Sequence, residues 1–421
     1  MKHLLRRLTL LIPLTALACT SNAAPGGTSS PIVSDGATTA SDASLVTAED
    51  GGSFVAIPLT ACNPNVYSAA MTVGGSQTFQ LLLDTGSTTL AVAAVGCSSC
   101  TDAGVSDLYQ PSPTAIDLMM PANAGFGDGE PQNASGWAGE IYQDWVGAGS
   151  TPDMTQVKLV AIEQQDQFLV GTCGGGPPQG VLGFAPSSIE VQGTNGFFDQ
   201  LVADGGVNDL FATRLCSTEG TLWLGGFDPS LTTAPPVYTP MLDVQVNGAL
   251  VQAWYTVNLA SISIVGTTIP VATASFPGAM LDTGSSYSTL PPAAFSTLTS
   301  TIAANSAFSG VFGANAASFF SSVNTCVRLS QTKAALDAAL PGLTLTLGSN
   351  PSISVQATAT ESYLLSRGGL WCPAITALTP DANSFPNIAA HLGAPMLASN
   401  VVIFDRANQR VGFAPHRPCT D

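Results

Sequence analysis

Gln80-Leu81-Leu82-Leu83-Asp84-Thr85-Gly86-Ser87 and Gly278-Ala279-Met280-Leu281-Asp282-Thr283-Gly284-Ser285 carry the same pattern. In each, an apolar run ends at an acid, and Thr-Gly-Ser follows. A short apolar run bounded by turn residues reads as a buried strand. One Asp-Thr-Gly is weak evidence, because Asp and Gly are ordinary turn residues. Two copies, each behind an apolar strand, mean more. In a chain of 421 residues they predict two like lobes that bring Asp84 and Asp282 together.

Electrostatics explains what such a pair could do. Two carboxylates in contact cannot both ionise cheaply, so one keeps its proton while the other gives it up. The ionised partner can take a proton from a water held between them, and the neutral one can donate to a substrate carbonyl. That is general acid–base catalysis without metal, cofactor or covalent intermediate. Gly86 and Gly284 permit the tight turn. Thr85 and Thr283 can hydrogen-bond across the lobe interface. Ser87 and Ser285 can donate to the carboxylates and favour their charged form.

Further segments extend the pattern. Phe126-Gly127-Asp128-Gly129 is one of them. Gly180-Val181-Leu182-Gly183-Phe184-Ala185 and Leu392-Gly393 are apolar-Gly elements, one per half, where glycine lets one backbone approach another closely. Leu222-Trp223-Leu224-Gly225-Gly226-Phe227-Asp228 would end the first half, and Val402-Ile403-Phe404-Asp405-Arg406-Ala407-Asn408 with Val411-Gly412-Phe413-Ala414-Pro415 would end the second. In this order, from about residue 53 to 415, they resemble the pepsin-like aspartic proteases. The resemblance implies an all-β, bilobal fold: two related β lobes, a central cleft and a hairpin flap. It implies catalysis by Asp84 and Asp282, with Thr85, Gly86, Ser87, Thr283, Gly284 and Ser285 supporting the turns. Phe126, Gly127, Asp128 and Gly129 would close over substrate. The implied partner is a protein or peptide in extended conformation, cleaved between bulky apolar side chains, and the low-lying titration of such a pair favours activity in acid.

Four positions depart from the family pattern. Ala91 stands where Trp is usual, and Phe126 where Tyr is usual. The indole and the hydroxyl are thus lost together, which avoids leaving one buried partner unpaired at a cost of about 1–3 kcal/mol. Trp137, beyond a lengthened flap tip that includes the sequon Asn133-Ala134-Ser135, could take over the packing or be a plain core or surface residue. His391 precedes Leu392 where an aliphatic is usual, and a lone histidine reads as structural. Ala394 replaces the usual Asp.

Residues 1–19 read as a secretory leader, with basic Lys2, Arg6 and Arg7 and a mostly apolar run from Leu8 to Ala18. That run is too short to span a bilayer. Ala18-Cys19 offers a bacterial lipoprotein-type site with Cys19 as the lipidated residue, while ordinary cleavage near Ala23 and a retained anchor are the alternatives. Residues 20–52, rich in Ser, Thr, Ala and Gly, read as a flexible linker. They contain no Lys or Arg, so no basic segment is expected to mask the aspartates. The N-terminal lobe is expected over 53–232 and the C-terminal lobe over 233–421. Within the second lobe, Trp254–Leu259 and Ser261–Val265 read as two strands, Ala293–Ile302 as a short helix, and Ala303–Ala317 as a surface loop.

There are nine cysteines, and setting Cys19 aside leaves an even number, as expected where disulfides form. The family resemblance implies Cys97–Cys100 and Cys326–Cys372. Cys173–Cys216 and Cys62–Cys419 would complete the set, although the four cysteines that remain allow other connectivities. Cys97-Ser98-Ser99-Cys100 could also be half a zinc site or a redox motif, although His3, His391 and His416 are scattered and no metal is expected.

The formal charge is −17, with charged residues only 9%. Three of the eleven basic residues lie in the leader, so the rest is more acidic still. This argues against nucleic acid as a partner. The expectation is an exported monomer, secreted or held in the cell envelope, touching membrane only through a lipid anchor. Two rivals stand beside the endopeptidase: a non-catalytic peptide- or protein-binding module on the same fold, and a structural surface lipoprotein in which both turns are coincidence.

Overall fold

Alternating apolar residues make the first strands. Ser53–Asn63, Val66–Val73 and Gln77–Asp84 form an antiparallel meander. Ala69, Met71 and Val73 point inward and meet Phe79, Leu81 and Leu83 in the same core, following the two-residue period of a pleat. The second turn closes on Gly74 and Gly75, whose φ values of 67° and 81° suit glycine. This computed structural model describes residues 45–47, 53–63, 65–126, 135–149, 154–272, 278–378 and 388–419.

In the first lobe, Ile116–Phe126 and Ser135–Ala148 pair as a long hairpin, and Met154–Asp166 pairs with its second arm. The centre of the second lobe is Thr256–Ile264, which pairs with Gly278–Asp282, Thr267–Pro270 and Leu343–Leu347. The two strands expected here are one, with an irregular register between Leu259 and Ser261. The pepsin-like bilobal all-β expectation holds.

The C-terminal hairpin, Asn400–Asp405 with Arg410–Pro415, ties the halves together. Its first arm pairs with Leu210–Leu215 of the first half, and its second with Val237–Pro240. Aromatic rings fill the junction: Phe211 stacks on Phe404 at 4.5 Å between centroids and meets Tyr255 edge-on at 5.5 Å. Arg406, over the face of Phe198, is ion-paired with Asp199 and, at 2.9 Å, with Asp209.

Three further expectations need correction. The loop expected over Ala303–Ala317 contains a helix, Ser306–Phe312, capped by Asn305, whose side chain accepts from the Ala307 and Phe308 N–H groups. Phe308 and Phe312, one turn apart, stack at 4.2 Å and are buried. Residues Leu45–Thr47, placed in the linker, form a strand antiparallel to Ser53–Val55. The third correction concerns the disulfides. Cys97–Cys100 and Cys326–Cys372 form, which answers the zinc alternative for the first pair. The pairs Cys173–Cys216 and Cys62–Cys419 do not form. Instead Cys62 bonds Cys173 and Cys216 bonds Cys419. The reason is register: Cys62 lies directly opposite Cys173 where Ser53–Asn63 pairs with Thr172–Cys173. The C-terminal tail returns past Arg214, whose guanidinium donates to the Arg417 carbonyl, and so reaches Cys216.

The leader with Cys19, the rest of the linker, the flap residues Gly127, Asp128 and Gly129, and Asn133 lie outside the described residues. Among the described residues, no helix is long and apolar enough to cross a membrane.

Candidate active site

Each Asp-Thr-Gly-Ser turn begins where a buried strand ends against two neighbours. Gly180–Gly183 runs parallel to Gln77–Asp84 and antiparallel to Leu90–Ala93. Ile388–Gly393 runs parallel to Gly278–Asp282 and antiparallel to Ser288–Leu290. Gly183 is the register partner of Asp84, and Gly393 that of Asp282. Both apolar-Gly elements therefore pack behind a turn, and both glycines are sterically required. A Cβ at Gly183 would lie 2.4 Å from the Thr88 carbonyl carbon, and one at Gly393 would lie 2.3 Å from the Tyr287 oxygen.

The turns hold each other. The Thr85 N–H donates to Thr283 Oγ1 at 3.1 Å, and the Thr283 N–H donates to Thr85 Oγ1 at 3.0 Å. Each hydroxyl then donates across the interface, Thr85 to the Leu281 carbonyl and Thr283 to the Leu83 carbonyl, both at 2.9 Å. Both threonines are fully buried, so these bonds satisfy groups that water cannot reach.

The two carboxyls are held alike. Gly86 N–H donates to Asp84 Oδ1 and Gly284 N–H to Asp282 Oδ1, each at 2.8 Å. Ser87 donates to Asp84 Oδ2 at 2.5 Å, and Ser285 to Asp282 Oδ2 at 2.6 Å. A Cβ on Gly284 would stand 2.5 Å from Asp84 Oδ1 and 3.2 Å from Asp282 Oδ1, which places both carboxyls around one point. Asp84 and Asp282 are only 7% and 9% exposed. Burial, followed by the charge of Asp282, raises the Asp84 pKa from 3.8 to about 7, against the opposing donors Ser87 and Gly86. At acidic pH this site therefore holds a proton on a carboxyl beside a second carboxyl, the arrangement needed for simultaneous acid and base work.

The first lobe carries a separate buried apolar cluster. Ala91, Val160, Val181 and Trp137 belong to one buried cluster, with Phe126 packed on it. Phe126 stacks on Phe168 at 4.7 Å. Trp137, 3% exposed, thus comes from the hairpin into the cluster that contains Ala91. Among the described residues, its indole N–H has no hydrogen-bond partner. Packing is replaced here, and the polar link is not.

Sequence reasoning missed Trp254. Its indole N–H donates to the Gly86 carbonyl at 3.0 Å, bracing the first turn from the second lobe. Next to it, Tyr255 donates to the Phe184 carbonyl at 2.5 Å. The only signal was a pair of aromatics at a strand entry. Tyr287, just beyond the second turn, accepts from Arg367 at 3.4 Å.

Two sheet-rich lobes whose paired turns juxtapose two buried aspartates define a pepsin-like architecture. The family model "Eukaryotic aspartyl protease" matches residues 66–416, and the chain belongs to that family. An aspartic protease of Phaffia rhodozyma is 26% identical over 352 residues, covering 83% of this chain and 76% of the relative. Pepsin A of Sus scrofa is 27% identical over 349 residues, covering 81% and 78% respectively. Pepsin A-5 of Mus musculus is 27% identical over 357 residues, covering 83% and 81%.

Proposed function

We propose that this protein is an aspartic endopeptidase that hydrolyses peptide bonds with Asp84 and Asp282, in acid. The observation that carries this reading is the pairing of the two buried carboxyls, each held by the same serine and glycine donors. One carboxylate takes a proton from water as that water attacks the peptide carbonyl. The protonated carboxyl donates to the carbonyl oxygen, and the proton taken from water later goes to the departing amine. No covalent enzyme intermediate is needed. Thr85 and Thr283 set the distance between the two carboxyls, and the hairpin carrying Phe126 covers an extended substrate as a strand-like ligand.

The rest of the reading is export as a monomer through the 1–19 leader, with Cys19 lipidated. All eight cysteines after Cys19 are paired, which leaves Cys19 as the odd one and supports a separate role for it.

A binding module on the same fold draws support from the absent Trp and Tyr at Ala91 and Phe126. Trp137 weakens that support by occupying the same cluster. The test is incubation with an unfolded protein between about pH 3 and pH 7. Cleavage in acid, fading as pH rises through about 7, is expected. A folded protein that binds unfolded peptides but cleaves none would put the binding module in its place.

A further inference from the structure

Two cross-strand pairs, one from each half of the chain, face a common cavity. Asn63 is the register partner of Thr172, and Ser366 is that of Trp371. Register partners in an antiparallel pair sit side by side on one face of the sheet. All four line a cavity of about 480 Å³, and Asn65 and Thr218 line it too. That volume suits a small ligand. Among the described residues, the lining takes nothing from either Asp-Thr-Gly-Ser turn or from the hairpin that carries Phe126. Each pair lies beside a disulfide: Cys62–Cys173 adjoins Asn63 and Thr172, and Cys326–Cys372 adjoins Trp371. The frame is thus fixed before a ligand arrives, which lowers the cost of binding.

The chemistry of the lining narrows the ligand. Its charged side chains among the described residues are Lys333 and Glu361. They pair with each other at 2.5 Å, and Glu361 also accepts from Ser399 at 2.9 Å. Neither charge calls for an ionic ligand. Asn63, Thr172, Thr218 and Ser366 are exposed, and Asn65 and Trp371 are partly so. The five polar side chains make no hydrogen bond to another described residue. Amides and hydroxyls both donate and accept, so they match a neutral ligand rich in hydroxyls. Trp371 adds an aromatic surface whose negative face attracts C–H groups. We propose that this cavity is a saccharide-binding site. A neutral sugar lays its C–H face on the Trp371 ring, and its hydroxyls bond to Asn63, Asn65, Thr172, Thr218 and Ser366. The site holds the protein on a neutral glycan, and this binding does not depend on the aspartate pair.

The test is calorimetric titration of the purified protein with maltose, cellobiose, lactose and N,N′-diacetylchitobiose, with uridine as a neutral, planar control. At least one disaccharide is expected to bind, and uridine is not. Trp371→Ala should weaken that binding by about tenfold or more, the loss expected when an aromatic anchor is truncated. Asn63→Ala and Ser366→Ala should each weaken it by about threefold or more. Every variant is first shown to be folded by its melting transition. Trp371 packs partly on the main core, so the two exposed positions decide the matter if Trp371→Ala fails to fold. Asp282→Asn should bind the sugar as the wild type does. Binding of none of the disaccharides, binding of uridine alone, or an affinity unchanged in the folded variants would overturn the site. So would a sugar affinity lost in Asp282→Asn, which would place the sugar at the aspartates.

Discussion

Thr85 and Thr283 are reciprocal partners: each backbone N–H donates to the other's hydroxyl oxygen, at 3.1 and 3.0 Å. The relationship is a two-fold repeat written in hydrogen bonds, and it fixes one turn against the other. Thr283→Ala should strand the buried Thr85 N–H and remove the donor to the Leu83 carbonyl. An unsatisfied buried group costs about 1–3 kcal/mol. The denaturation midpoint should drop accordingly. Thr283→Ser, which keeps the hydroxyl, should recover most of the loss.

Gly284 is the second point of control. Its missing Cβ would fall 2.5 Å from Asp84 Oδ1. Gly284→Ala should push the carboxyls out of place and lower kcat by about 100-fold or more, the usual cost of a misplacement near 1 Å. The far-ultraviolet circular dichroism should be retained. A variant of normal kcat would mean that the carboxyls tolerate separation.

The raised pKa of Asp84 makes stability depend on pH with a definite sign. Below the unfolded value near 4, the group is protonated in both states and the stabilisation is fully present. As pH rises the unfolded carboxyl ionises first, so stability falls and is lost through the folded value of about 7. The total is of the order of 4 kcal/mol. Unfolding midpoints measured from about pH 3 to pH 8 should decline over that window, and Asp84→Asn should flatten the decline.

Trp137 offers a test of packing against polarity. It is buried in the cluster with Ala91, and its N–H is unpaired among the described residues. Trp137→Phe removes the unpaired donor while keeping a ring, and should change stability by no more than about 1 kcal/mol. Trp137→Ala should cost about 3–5 kcal/mol. Urea midpoints of the two variants separate the terms.

The aspartate turns were legible because their signal is local and occurs twice. The apolar-Gly elements were legible for the same reason, since Gly183 and Gly393 each follow an apolar run and close proximity demands glycine. The cysteine pairing was not, because Cys62 meets Cys173 through strand register across 111 residues, which no spacing reveals. The Ser306–Phe312 helix was hidden by its small residues, and only the one-turn separation of Phe308 and Phe312 hinted at a buried face. Trp254 was hidden for another reason: its role depends on a carbonyl in the other lobe, so no pattern around Trp254 itself could announce it.

The central claim is that Asp84 and Asp282 together perform the hydrolysis. The most direct measurement is the rate at which the purified protein and its Asp84→Asn and Asp282→Asn variants cleave an unfolded protein in acid, beside their unfolding midpoints at the same pH. An amide keeps the shape of a carboxyl and removes its proton exchange. Cleavage by the wild type, with both variants folded and their rates down by at least about 100-fold, is the predicted result. Cleavage that survives in either folded variant would contradict the claim.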